Sequence, residues 1–462
     1  MKKYLSSLLM ALAFSSAGAE SFISDGIYYQ TLPDNEDCCE VTWASGMSYS
    51  GTVNIPSVVS YEGRDYTVAG IGAYAFASSD GLTTVELPST IAYLGRNAFQ
   101  SCSGIKEISL PETTEEIGAQ AFYGCTSLTA FSGKDVATVG DAAFSNCASL
   151  SEVELGENLI ALGESSFRGC KSLESFLLPE GIVMGEGVFS GCVSLKEIVL
   201  PASMEEIPAY TFSECVALQK VEGSANATTI GAYAFSTCSS LRDFEFSQEL
   251  SAIGEGAFFF CQDLEMVSIG GVDATIGKYA FSGCSSLQQV EITGVVEIGE
   301  EAFANDSELQ YISLGESVHY IRERSFRGCT ALAKVGCYSV QPPFLANTSF
   351  EQETYRKAEL EVPYSCGLLY RQTPPWSYFI NVIELLPPGP ASVDGLSYES
   401  EISCVAGCLV LDGAEGKVEV WSVTGNPVYR GYKEEGRFEI PMPAKGIYLV
   451  RYNQKTLKIL SE

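Results

Sequence analysis

Histidine is all but missing from this chain. His319 stands alone among 462 residues, so any Ser–His or Cys–His couple would have one candidate base. That base sits inside a repeating pattern and reads as a surface residue. Basic charge is also scarce: 27 Lys+Arg face 58 Asp+Glu, a net charge of −31. Nucleic acid and anionic membrane surfaces both need clustered cations, so neither is expected as a partner. After the first residues, no run stays apolar for the ~20 positions that a membrane helix requires. There is no phosphate loop, zincin helix, paired CxxC motif or EF-hand spacing. Carboxylates are so abundant that a pair of them is uninformative without a cleft. The reading is therefore of a non-enzyme with no cofactor and no metal.

What the chain has in abundance is repetition. Phenylalanine recurs at Phe76, Phe99, Phe122, Phe144, Phe167, Phe189, Phe212, Phe235, Phe258, Phe281, Phe303 and Phe326, at intervals of 22 or 23 residues. Six residues after each comes an aliphatic, from Leu82 to Leu332, and nine after it Val, Ile or Phe. Five before it stands Ile, Leu, Val or Met. A fixed period of roughly 20–29 residues with a leucine ladder marks a stacked solenoid. Such a unit cannot bury its own apolar face, and only stacking gives a continuous core. In a strand, alternate residues face opposite ways. Positions nine and eleven after each Phe should point inward, and eight and ten outward, on one parallel sheet. The opposite side should be turns or short helical segments, with the glycine four residues before the Phe serving a tight turn.

One unit reads Ile117-Gly118-Ala119-Gln120-Ala121-Phe122-Tyr123-Gly124-Cys125-Thr126-Ser127-Leu128. It resembles the BspA-like leucine-rich repeat, I-G-x-x-A-F-x-x-C-x-x-L, over the whole array. The departures are local: Pro208 and Arg322 for the Gly, Ser79 and Asp306 for the Cys, Gly133 and Gly223 for the last strand aliphatic. The resemblance implies a leucine-rich repeat solenoid at the cell surface. It also implies adhesion, with an unidentified protein ligand that includes host extracellular matrix among its candidates. A non-catalytic envelope scaffold and a glycan-handling platform are the alternatives.

The flanks define the remaining pieces. Residues 1–19 carry Lys2 and Lys3, a short apolar stretch and Ala17-Gly18-Ala19, which reads as a secretory signal peptide. No Cys follows it, which argues against an N-terminal lipid anchor. Residues 20–70 read as a strand-rich N-terminal cap, 71–350 as the repeats with Phe350 a degenerate thirteenth anchor, and 351–386 as a C-terminal cap around Trp376 and Phe379. Residues 387–391 hold Pro387, Pro388 and Pro390 and read as a linker. Residues 392–462 alternate like a small β-sandwich. They resemble the sorting domain of the type IX secretion system through Gly446, Ile447, Tyr448, Val450 and Lys458, and depart from it at Pro443-Ala444 and Glu462.

Ten of the sixteen cysteines stand three residues after a Phe: Cys102, Cys125, Cys147, Cys170, Cys192, Cys215, Cys238, Cys261, Cys284 and Cys329. Residues of one column share one orientation, whereas a disulfide needs Cβ atoms roughly 3.5–4.5 Å apart and converging. The column reads as buried thiols whose S–H groups donate to backbone. Disulfides and metal binding are the alternatives. The state of Cys38, Cys39, Cys337, Cys366, Cys404 and Cys408 is open, with Cys404 and Cys408 able to bridge across a strand turn.

The outward positions of the strand face carry nine acids, including Glu152, Glu154, Glu197, Glu222, Asp243 and Glu245, against Lys220 and Lys334. This reads either as a solvated sheet surface or as an extended ligand face. Leu177, Val199, Met266 and Tyr311 lie among the charges as a candidate contact patch.

Overall fold

The computed structural model describes residues 19–271 and 273–385, together with the strands between Ile402 and Ser461. The segment read as a signal peptide, apart from Ala19, and the segment read as a linker lie outside the described residues. The chain divides into two compact units, residues 1–335 with 343–358, and 336–342 with 359–462.

The first unit is a right stack of the repeats, and its core is the phenylalanine column. From Phe76 to Phe326 every anchoring ring is at most 1 % exposed. Neighbouring rings lie face to face, as with Phe99 and Phe122 at 5.2 Å and Phe258 and Phe281 at 5.1 Å between centroids. Phe350 continues the column 4.9 Å from Phe326. The leucines six residues on, Leu82 to Leu332, are fully buried beside it.

Each rung has three faces. The first is the expected strand face, for example Ala130–Gly133 paired in parallel with Glu107–Ser109 and Glu152–Leu155. It is not one continuous sheet. No strand forms at Phe176 or at Phe244, and the ladder is interrupted at both rungs. A Phe at this inward position must fit against the anchoring column. Phe176 wedges 5.0 Å from both Phe167 and Phe189, and those two rings stand 6.0 Å apart. Phe244 shares its rung with a second inward ring, Phe246, at 4.8 Å.

The second face, unanticipated, is a ladder of two-residue parallel strands just before each glycine, such as Tyr93–Leu94, Glu116–Ile117 and Thr138–Val139. It runs to Val183–Met184 and resumes at Glu206–Ile207. At the glycine rungs an amide bonds back to the preceding rung, as Gly118 N–H does to Leu94 O at 2.7 Å. Pro208 has no such N–H, and the ladder stops there.

The third face is the turn side, built of consecutive turns rather than helix. Within the array the one helical segment described is the short 3₁₀ turn Ser224–Asn226. Each rung carries two positive-φ residues here, for example Gln120 (φ 59°) and Gly124 (φ 72°). Three amides per rung reach the next, as in Gln120 N–H to Asp141 O (2.8 Å), Phe122 N–H to Ala143 O (2.7 Å) and Gly124 N–H to Ser145 O (2.9 Å). The glycine four residues before the Phe, expected from the sequence to serve a tight turn, is not at positive φ in the unit of Gly118. A Cβ on Gly118 would stand 2.7 Å from the Gly95 carbonyl carbon, so glycine is required by the close approach of successive backbones. Arg322 is accommodated with a slightly longer bond, 3.0 Å to Ile298 O.

The thiol column is as the spacing predicts. All ten Sγ atoms donate to the carbonyl of the preceding rung's phenylalanine, from Cys102 to Phe76 O at 3.0 Å to Cys329 to Phe303 O at 3.0 Å. Cys38, Cys39, Cys337 and Cys366 are free thiols too. Burial pushes the Cys192 thiol up to about 12. Denatured without reductant, the protein should therefore titrate at least the ten column thiols, while the folded protein reacts at few of them. A count well below ten in a thiol titration would show disulfides instead.

Strands precede the array. Asn35–Val41 pairs in parallel with Arg64–Ile71, which leads into the second-face ladder at Tyr93–Leu94. Ser50–Asn54 pairs with Gly81–Glu86 on the strand face. The Tyr93 hydroxyl donates to buried Glu40 at 2.6 Å, whose carboxyl is raised by its burial.

In the second unit, Glu359–Val362 and Asn381–Glu384 pair in parallel. Trp376 is fully buried against Tyr370 and Phe379. The Tyr370 hydroxyl donates to Ser339 O at 2.7 Å. Farther on are two antiparallel sheets, one of three strands and one of four. They share a core of Leu409, Leu411, Val418, Val420, Ile440, Tyr448 and Val450, which is a small β-sandwich. The register sets Cys404 opposite Leu409 and Cys408 opposite Val405, so these two cysteines are not direct cross-strand partners.

Candidate functional site

The strand face supplies the candidate site. Glu152 and Glu154 lie on the strand Glu152–Leu155, both exposed. Parallel register sets Ala130 between Glu107 and Glu152, and Ser132 between Ser109 and Glu154. The small residues of the middle rung leave a shallow depression of about 300 Å³ between the acidic rungs. Glu154 accepts from Ser132 Oγ at 2.9 Å and pairs with Lys134 at 3.0 Å. Those two bonds hold its carboxyl below the usual range. The carboxylates of Glu107 and Glu152 have no such partners among the described residues. The depression therefore presents two uncompensated negative charges over a floor of small side chains.

The other predicted residues do not join this site. Glu197 and Glu222 lie on a separate two-stranded block, Glu197–Val199 with Lys220–Glu222. There Lys220 bonds Glu222, which raises the lysine. Asp243 and Glu245 are exposed on the rung that forms no strand. Met266, 52 % exposed, and Tyr311 lie on a further block, Met266–Ile269 and Tyr311–Leu314, where Lys334 sits over the Tyr311 ring at 5.5 Å. Leu177 and Val199 occupy the same register on consecutive rungs, 78 % and 53 % exposed. The four apolar residues are thus a pair and two outliers, not one patch. Phe176 and Phe244, which break the ladder, are the physical reason. His319 is exposed. Among the described residues no three His, Cys, Asp or Glu converge as metal ligands.

Two features escaped the sequence reading. One is the complete burial of Asp306, whose place in the cysteine column the sequence does show. The turn side of the rungs of Phe212, Phe235, Phe258 and Phe281 carries aromatic rings on successive rungs; their signal is Tyr or Phe two before, or one and two after, the anchoring Phe.

Three stretches, residues 69–184, 166–274 and 272–361, match the model of the BspA type leucine rich repeat region. The chain belongs to the BspA-type leucine-rich repeat family. The BspA-type array also resembles solved solenoids. A leucine-rich repeat protein of Bacteroides ovatus is 23 % identical, with a TM-score of 0.53 over 81 % of this chain and all of that one. A leucine rich cell surface protein of Faecalibacterium prausnitzii is 24 % identical, with a TM-score of 0.42 over 70 % of this chain and 95 % of that one. The pneumococcal vaccine antigen PcpA is 17 % identical, with a TM-score of 0.42 over 79 % of this chain and 98 % of that one. The likeness to the Bacteroides ovatus protein shows the fold alone. No curated protein matches the chain.

Proposed function

We propose that this chain is an exported, non-catalytic adhesin of the cell surface that binds a basic protein segment on its strand face, with host extracellular matrix as the partner class. The observation that carries the reading is the depression over Ala130 and Ser132, flanked by the unpaired Glu107 and Glu152. Glu107 and Glu152 stand two rungs apart, about 10 Å at the usual strand spacing, and this is comparable with the Debye length of about 8 Å at physiological salt, so their fields overlap. A cationic partner would be steered to this face, and its association would slow as salt rises. Membership of the BspA-type family supports a binding role. Among the described residues no helix is long and apolar enough to cross a membrane. The reading gives residues 1–19 the role of an export signal and the β-sandwich that of a type IX sorting domain.

The test is charge reversal. Glu107→Lys with Glu152→Lys should lower the association rate for basic matrix proteins on a sensor surface by about tenfold at low salt, within the range that steering provides. Thermal stability should be nearly unchanged, as for most exposed substitutions. Glu164→Lys with Glu186→Lys, on the turn side, is the control. Equal losses in both variants would mean that net charge alone matters. Loss in neither would make the strand face a solvated surface.

A further inference from the structure

We propose that the chain self-associates head to tail: the outer face of the four-stranded sheet in the β-sandwich of one copy docks on the acidic depression of a second copy. The inference rests on the reading of that depression as a seat for cations, and it names a further occupant for it.

Cations gather on one face of that sheet. Its strands lie in the order Pro427–Lys433, Gly416–Ser422, Gly446–Tyr452, Lys455–Ser461, all antiparallel. Val418, Val420 and Val450 are in the sandwich core, so the residues alternating with them face out. The register sets Glu419 between Arg430 on one side and Arg451 on the other. Lys417 pairs with Glu419 at 2.8 Å, and Arg451 stands 4.0 Å from it. The bond from Lys417, with Arg430 and Arg451 close by, holds the Glu419 carboxyl below the usual range. The Glu419 side chain is only 12 % exposed, whereas those of Lys417 and Arg451 are 73 % and 59 % exposed. Arg430 is exposed too. Three cations thus stand over one sunken carboxylate, and the cluster keeps a positive surplus. Tyr432, opposite Lys417 in the register, is 62 % exposed on the same face. Arginine and tyrosine are both enriched in protein interfaces.

Spacing and charge choose the occupant. Glu107 and Glu152 flank Ala130 across two strand spacings, and Arg430 and Arg451 flank Glu419 across two. Strands of a sheet lie about 4.8 Å apart, so both pairs repeat at about 10 Å. Two guanidinium groups can therefore meet two carboxylates in a single placement, each as a charge-assisted fork. The middle positions do not collide, because Ala130 is small and Glu419 is sunk. The sequence divides its charge in the same sense. Residues 392–462 hold eight Lys+Arg against ten Asp+Glu, while residues 20–391 hold 17 against 48. The two faces differ, so each docking leaves one of each kind free. Such a contact is heterologous and closes into a ring or runs on as a filament. Two copies of net charge −31 also repel as wholes. That repulsion reaches about 30 Å at 0.01 M salt but about 8 Å at 0.15 M. Association should therefore peak at moderate salt, where the long-range term is screened and the contact pairs persist.

The experiment is sedimentation velocity of the purified full chain over a concentration series at about 0.01, 0.15 and 1 M salt. The wild type should form oligomers whose mean size grows with concentration at the middle salt and shrinks at both extremes. Glu107→Lys with Glu152→Lys keeps only the basic face, and Arg430→Glu with Arg451→Glu keeps only the acidic one. Each variant alone should associate at least about tenfold more weakly. Their mixture should stop at one-to-one pairs, since a pair has no complementary faces left. Should the arginine variant unfold by circular dichroism, Arg430→Gln with Arg451→Gln, which sets no new carboxylate beside Glu419, should weaken association in the same direction. A wild type that is monomeric at every salt would overturn the proposal, even if poly-glutamate binds it through Arg430 and Arg451, because the face then serves another acidic partner. So would undiminished association of either variant alone, or a mixture that forms no pairs. Binding of basic matrix proteins on the sensor should survive Arg430→Glu with Arg451→Glu. Pairing without any matrix binding by the wild type would sink the adhesin reading alone, and matrix binding without pairing would sink this proposal alone.

Discussion

Replacing Phe212 by alanine should cost about 3–5 kcal/mol of unfolding free energy, the range for large aromatics removed from a core. The ring is 0 % exposed and lies between Phe189 at 5.7 Å and Phe235 at 5.3 Å. Collapse cannot heal the gap. The Phe212 backbone is held by its amide to Ala234 O at 2.8 Å, and its carbonyl accepts the Cys238 thiol at 3.1 Å. The rungs on either side are therefore kept at their spacing while the space between them empties. Denaturant unfolding of the two proteins, read at matched temperature, measures the difference. Stability close to wild type would remove the column from the core.

The second large effect has the opposite sign. Asp306→Cys should stabilise the protein by about 1–3 kcal/mol at neutral pH, the cost of a buried polar group left unsatisfied. Asp306 Oδ1 accepts from Cys284 N–H at 2.8 Å, but Oδ2 has no partner among the described residues. Cysteine would restore the thiol of the column. The Cys284 amide would keep its bond to Phe281 O at 3.3 Å. Burial raises the Asp306 carboxyl well above its ordinary 3.8. The folded state therefore holds this proton more tightly than the unfolded chain. The resulting stability is fully present below the unfolded value and is lost as pH rises through the raised folded value. The wild type should weaken over that window while the variant keeps a flatter profile, and the gap should close toward acid. Parallel slopes in thermal melts across the window would show that Asp306 does not titrate there.

The columns were legible because they depend only on spacing. Phe, Leu and Cys return at one register, and a single rung geometry satisfies all of them. Residues whose effect depends on volume were not legible. Phe131, Phe176 and Phe244 occupy equivalent sequence positions, yet Ala130–Gly133 forms a strand while the rungs of Phe176 and Phe244 do not. The pattern registers an apolar inward residue, and the ladder registers how far a ring pushes the rung aside. The reason for the glycines was missed in the same way: the constraint on Gly118 comes from Gly95 in the neighbouring rung, which the unit read alone does not contain. The aliphatic at Ile117 was readable as core, but the pairing of Glu116–Ile117 with Tyr93–Leu94 was not, since two residues are too short to show a strand period. The acidic face was legible residue by residue. Its division into Glu107 with Glu152, Glu197 with Glu222, and a strandless Asp243 and Glu245 follows from the ladder breaks and could be seen only in three dimensions.

Those breaks have a mechanical consequence. The bonds that join rungs run along the axis, so a pull on the two ends of the array loads its interfaces in series, and the weakest one governs. Between the rungs of Phe167 and Phe189 the strand face contributes no ladder; between those of Phe189 and Phe212 the second face is the one missing, at Pro208. The turn side crosses both, with Phe167 N–H bonded to Val188 O at 3.0 Å and Phe189 N–H to Thr211 O at 2.9 Å. Under tension, interfaces that lack one of the three ladders should open before those that keep all three; besides these two they include the interfaces on either side of the Phe244 rung.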